Sequence, residues 1–265
     1  VERRSWPRIC RKAIAKAASK DSLRALDKLA EVVDGRRQIV ADIPLIVPIA
    51  HHLDGDEGQR AIEFFTAYAA TLPPHRAAVL ARYRVVDVAH KVVGVGSVGT
   101  RCLIVLLESD GGAPLFLQFK EAVASVLEPY TAPSEFSLAG ERVVRGQRLM
   151  QAAGDIFLGW SRFDRIDDEP VDFYFRQLWD GKGSADVERM GPKRLKNYAK
   201  HGGGALALAH ARTGDGPTIA GYLGDDATID HLLADFANRY ADLDEADHAA
   251  HAAAVADGRI AVAEG

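Results

Sequence analysis

The chain has 265 residues, 48% of them hydrophobic and 26% charged, and carries a formal net charge of −4 at pH 7. These ordinary globular values exclude a disordered chain, and the mildly acidic balance gives no basis for nonspecific nucleic-acid binding. No apolar run approaches the roughly 20 residues that span a bilayer. Two cysteines, Cys10 and Cys102, form neither a disulfide framework nor a zinc pattern, so the expected setting is a reducing cytoplasm, away from membranes.

Residues 1–83 read as a helical segment. Its first turns are basic (Arg3, Arg4, Arg8, Arg11, Lys12, Lys16, Lys20), the usual mark of a solvated helix face. Asp21-Ser22 can cap a helix whose Leu23, Leu26, Leu29 and Val32 line one face, with Gly35 ending it. A loop with Pro44 and Pro48 follows. Phe64, Phe65, Tyr68 and Leu72 then mark a second helix, stopped by Pro73-Pro74.

Residues 84–180 carry a strand pattern. Val86, Val88 and Val92 alternate with Asp87 and Lys91, and the run ends in Gly94-Val95-Gly96-Ser97-Val98-Gly99-Thr100. The stretch Arg101–Glu108, too short and too β-branched to favour a helix, is a second strand, Asp110-Gly111-Gly112 a turn, and Leu115–Lys120 a third strand. Glycines allow backbone N–H groups to approach a phosphate chain closely, and a lysine on the third strand adds a point charge. A Rossmann reading of the G-x-G-x-x-G string needs a helix after the glycines, whereas here a strand follows. The plain alternative is a glycine-rich hairpin that holds no ligand. Lys120 shares its face with Phe116 and Gln118, so it can point into a cleft; it can equally be an edge lysine that deters aggregation.

A helix is expected over about Glu141–Ala153, then strands at Ile156–Trp160 and Asp172–Trp179. Five strands with one helix between the third and fourth is the layout of a kinase small lobe. Glu141 is the candidate to hold Lys120, with Glu135 in reserve; its alternative partner is Arg145, one turn on. Gly181 and Gly183 give a flexible exit. Residues 181–265 are helical again, with Leu195, Tyr198, Ala199, Gly202, Leu206, Ala209 and His210 on one face. A last helix carries Ile229, Leu232, Leu233, Phe236, Tyr240 and Leu243. Gly202, Gly203 and Gly204 weaken the first of these helices unless another element packs closely on them. His51-His52 and His248/His251 lack further ligands at metal spacing and read as loop or surface residues.

A kinase also needs an aspartate to orient the acceptor hydroxyl and, five residues on, an asparagine for metal. The chain has two asparagines, Asn197 and Asn238, preceded at that spacing by Pro192 and Leu233. No catalytic loop is recognisable.

The glycine string, Phe119-Lys120-Glu121-Ala122, Gly140–Arg148, Asp172–Gly183, Ala207–Asp215 and Leu26–Gly35 together resemble the bacterial family catalogued as domain of unknown function 2252. The resemblance spans most of the chain. It implies a longer protein in which an upstream Gly-Asp-x-His-x-x-Asn-like motif and an Asp-Phe-Asp-like motif supply catalytic and metal-binding parts. Those parts are similar to the ones in aminoglycoside-phosphotransferase-type kinases. This chain is then the C-terminal portion of a kinase-like protein whose halves stand in swapped order.

The expectation is an α+β chain: a kinase-like small lobe with a five-stranded antiparallel sheet and one helix, flanked by helical segments. Gly94, Gly96, Ser97 and Gly99 cover the phosphates of ATP with its Mg²⁺, Lys120 contacts them, and Glu141 holds Lys120. Adenine stacks near Tyr174–Trp179. The acceptor, a small molecule or a protein, is undetermined, and phosphotransfer depends on a half not present here. The rival readings are a non-catalytic binding or regulatory module and a truncated remnant of the family.

Overall fold

The computed structural model describes residues 22–49, 56–94, 99–166, 169–178 and 185–262. Helix α1 (Ser22–Leu29) presents Ala25, Leu26 and Leu29 to the core and ends there rather than running on to Gly35. The chain continues as β1 (Ala30–Val33) and returns as β2 (Arg36–Ile39), an antiparallel hairpin. Asp34 and Gly35 between them have φ of 50° and 76°. Positive φ at both central residues of a two-residue loop is the hairpin geometry that matches strand twist. The short strand β3 (Ile46–Pro48) lies in the proline loop. Among its described residues, the segment expected to be helical therefore contains three strands; in the hairpin an Asp-Gly turn and β-branched Val32-Val33 outweigh the helical spacing of Leu26 and Leu29.

Helix α2 (Asp56–Ala70) places Phe64 and Tyr68 one turn apart, with Leu72 just beyond, all buried. Pro73-Pro74 interrupts it as expected. Pro74 also opens α3 (Pro74–Leu80), where a proline costs no hydrogen bond. Then come β4 (Tyr83–Lys91), β5 (Cys102–Ser109) and β6 (Pro114–Ala122), followed by α4 (Ala139–Met150), β7 (Gly159–Ile166) and β8 (Glu169–Gln177). The main sheet has six strands in the order β3-β4-β5-β6-β8-β7, all antiparallel, rather than the expected five. The sixth is β3, which adds to the outer edge of β4.

The strand expected at Ile156–Trp160 begins later. Phe157 and Leu158 are buried in the turn before it, and the strand itself is the charge-rich run from Gly159. Its position at the sheet edge accounts for that polarity.

Alternation divides the sheet into two apolar faces. On one, Leu103, Val105, Leu117, Phe119, Phe173 and Phe175 meet Phe64, Tyr68 and Leu72 of the α2 segment. Phe175 stacks on Tyr68 at 3.9 Å, and the buried Tyr68 hydroxyl donates to the Phe157 carbonyl at 2.7 Å. On the other face, Ile104, Leu106, Phe116 and Leu178 meet α1 and Ile39. Asp87, at a bulge in β4, ties this layer down by accepting from the Ile39 and Val88 amides.

Beyond the sheet come α5 (Pro192–Thr213), α6 (Gly216–Leu223) and α7 (Thr228–Ala256). The chain forms two compact units, one through Ala209 and one from His210. The apolar residues Leu195, Tyr198 and Leu206 of α5 are exposed, as are Leu232, Phe236, Tyr240 and Leu243 of α7.

Candidate functional site

The connection between β4 and β5 leaves the sheet after Lys91 and returns at Cys102. Gly94 has φ 152° and Gly99 has φ 79°, conformations that a side chain disfavours. A Cβ at either position meets nothing within 4 Å, so backbone conformation, not crowding, requires glycine. Gly96 and Ser97 lie outside the described residues. The returning end is pinned to β6: Glu121 Oε2 accepts from the Arg101 amide at 2.9 Å and its guanidinium at 3.1 Å, while the Glu121 amide donates to the Arg101 carbonyl.

One residue before Glu121 stands Lys120. Strand β6 runs between β5 and β8, and the register sets Lys120 opposite Cys102 on one side and Tyr174 on the other. Two residues along, Gln118 stands opposite Ile104 and Arg176. Directly paired residues share a face. Cys102, Gln118, Lys120, Tyr174 and Arg176 are therefore one patch. Exposure rises along it: Phe116 is 0% exposed, Gln118 4%, and Lys120 is half-buried. Lys91 joins from β4, where it lines a small recess of about 80 Å³ with His90, Thr100 and Cys102.

The patch is cationic and partly desolvated. Burial pushes the Cys102 thiol above its ordinary pKa, and Lys120, Lys91 and Arg176 each pull it back in part. Gln118 Nε2 donates to its sulfur at 3.4 Å. Burial likewise raises the Tyr174 hydroxyl, and it lowers His90, which the nearby Arg101 lowers further. Arg176 Nε is buried without a hydrogen-bond partner.

Helix α4 docks against β6, β7 and β8 at its N-terminus. Asp172 Oδ2 accepts from the Ala139 amide at 2.6 Å, and Oδ1 accepts from Arg162 Nε at 2.6 Å. That bond raises the Arg162 pKa. Arg145 and Arg148 lie over the Trp160 ring, 5.3 and 5.7 Å from its centre. Glu141, in the first turn, accepts from Arg145 Nε at 3.2 Å; its partner is the arginine one turn on, and no bond to Lys120 is present.

Of the residues singled out from sequence, Gly94, Gly99 and Lys120 thus flank one end of the central strands, and Glu141 is engaged with its own helix. Lys91 and Arg176 are additions. The signal for Arg176 was the alternation of Asp172, Tyr174 and Arg176 against Val171, Phe173 and Phe175. It acquires meaning only once the register sets Arg176 beside Lys120. A larger cavity of about 490 Å³ lies on the other face of the sheet, lined by Ile62, Phe65, Leu80 and Val85, with no charged group in its wall.

The class this fold defines is an α+β protein built on an antiparallel sheet, with a helix inserted before the last hairpin. The chain belongs to the family described as "Uncharacterized protein conserved in bacteria (DUF2252)", whose model matches residues 2–254. No curated protein and no solved structure matches it. Among the described residues no helix is long and apolar enough to cross a membrane, and no group of three His, Cys, Asp or Glu could hold a metal ion.

Proposed function

We propose that this chain binds the phosphate groups of a nucleotide, ATP in the first instance, as the nucleotide-holding part of a kinase-like protein. The observation that carries the reading is the placement of Lys120 opposite Cys102, the residue at which the glycine connection re-enters the sheet. A group held over that patch faces the lysine, beside the start of the strand that Gly99 precedes by three residues. Strands β4, β5, β6, β7 and β8 with α4 between the third and fourth follow the layout of a kinase small lobe. The half-buried, cationic character of the patch suits phosphate, because charge-assisted hydrogen bonds strengthen as water is excluded.

Among the described residues no group of three His, Cys, Asp or Glu stands ready to hold a Mg²⁺ ion beside the patch. Nor does the chain present an aspartate and asparagine at catalytic-loop spacing. Positioning and charge stabilisation provide nearly all of phosphoryl-transfer catalysis, so the activity assigned here is binding. Glu141 bonded to Arg145 favours the second reading, a binding or regulatory module without turnover.

Calorimetric titration of the purified chain with ATP and ADP, with and without Mg²⁺, tests the assignment beside Lys120→Ala. A charge-assisted hydrogen bond contributes roughly 1.5–3 kcal/mol, so the substitution is expected to weaken ATP binding about 10- to 100-fold. Equal affinity in the two proteins, or no binding by a folded sample, would sink the nucleotide reading.

A further inference from the structure

Among the described residues, several guanidinium groups on or beside the main sheet are neutralised by a carboxylate. Arg84 pairs with Glu108, as does Arg37 from the neighbouring hairpin; Arg101 pairs with Glu121, and Arg162 with Asp172. Arg176 differs. Among the described residues it has no ion-pair partner, and its Nε is the one buried side-chain nitrogen or oxygen with no hydrogen bond. Buried donors are rarely left unmade, because an unsatisfied group forfeits its hydration for nothing. Lys91 and Lys120 also make no salt bridge among the described residues, and all three cations lie close enough to the Cys102 sulfur to act on its thiol. Three unneutralised cations converge on one half-buried spot.

Geometry separates two of them. Lys120 stands opposite Tyr174, and Arg176 is two residues further along β8 on the same face. Such diagonal neighbours have their Cα atoms roughly 7–8 Å apart. Both side chains are long enough to reach adjacent groups of a single ligand, and a guanidinium offers Nε and a terminal nitrogen as a fork for two oxygens.

We propose that Arg176 is a second anion-contacting residue of the Lys120 patch, so that the ligand is a polyphosphate with one phosphate at Lys120 and the next at Arg176. This rests on the phosphate-binding reading above and narrows it to ligands with at least two linked phosphates. Lys91, at the rim by the glycine connection, reinforces the field.

The test is calorimetry on the whole chain with orthophosphate, pyrophosphate, tripolyphosphate and ATP, comparing wild type, Arg176→Gln and Lys120→Ala, with thermal melting of each empty protein. Wild type is expected to bind pyrophosphate at least 10-fold more tightly than orthophosphate. Arg176→Gln should lose that preference while melting no lower than wild type, since it removes a donor the empty protein leaves unpaired. Unchanged pyrophosphate affinity in Arg176→Gln overturns the proposal. If that variant does not fold, Arg176→Lys takes its place: a 3-fold or greater loss at unchanged melting supports the fork, and wild-type affinity overturns it. Pyrophosphate binding without ATP binding would end the nucleotide reading and leave Arg176 standing. ATP binding that ignores Arg176 would do the reverse. No binding of any probe by folded wild type removes both.

Discussion

Cys102 sits among three cations and is nonetheless a weaker acid than a free thiol, because the loss of hydration outweighs their pull. In the folded chain it keeps its proton at a pH where the unfolded chain has lost it. The stabilisation is fully present below the ordinary thiol pKa of about 8.5 and is lost as pH rises toward the higher folded value. Tyr68, whose hydroxyl is raised further by burial and then by Asp155, adds to the same loss at higher pH. Urea unfolding in a Cys10→Ser background should therefore show stability declining above about pH 8.5. Cys102→Ala should remove the thiol's share of that slope. An unaltered slope would assign the loss to another group. Iodoacetamide at pH 8 should modify Cys102 far more slowly in the folded chain than in urea.

At the scale of elements, two glycines in helices have opposite meanings. Gly140 brings α4 against β8: a Cβ there would stand 2.3 Å from the Phe173 carbonyl oxygen and 3.1 Å from Trp160 Cβ. Backbone cannot yield as a side-chain tip can. Gly140→Ala should push α4 off the sheet and cost about 1–3 kcal/mol in denaturant unfolding. Gly203, inside α5, has nothing within 4 Å of a built Cβ. Gly203→Ala should stabilise the helix by about 0.5–1 kcal/mol, and a loss there would show that the glycine serves a contact. In the sequence neither glycine shows whether a neighbour packs against it: Gly140 stands just before the expected helix, and Gly203 lies inside one. The same limit explains β7. Trp160 and Arg162 alternate with Ser161 and Phe163 as a strand does, but a polar edge strand looks like a loop until its partner β8 is known.

The molecule as a whole places its apolar energy unevenly. In the unit through Ala209, Phe175 is 0% exposed and stacks on both Tyr68 and Phe119. Phe175→Ala should cost about 3–5 kcal/mol, read as a fall in the denaturation midpoint. In the unit from His210, Phe236 is 56% exposed, with Tyr240 stacked beside it at 5.7 Å. Phe236→Ser should change stability by no more than about 0.5 kcal/mol. A large loss from the second substitution would mean that α7 is covered in solution. Amphipathic spacing in α5 and α7 correctly indicated helices. It could not say whether the apolar stripe is buried, since spacing records a face and not what lies against it.

The sequence alone determined the elements whose signals are local. The short β-branched run Arg101–Glu108, the strand pattern of Leu115–Lys120, the Asp-Gly-Gly turn between them and the helix around Glu141 depend on neighbours within a few residues, and all four stand in the structure. The glycines at 94 and 99 were legible for the same reason, as positions where the backbone turns. Tertiary structure decided the rest. Pairing of β6 with β8 rather than with β7 brings Arg176 to Lys120 across 56 residues of chain. The Asp172 carboxylate, from β8, places α4. Each of these depends on register and on competition among charges for partners. Neither quantity exists until the sheet has formed.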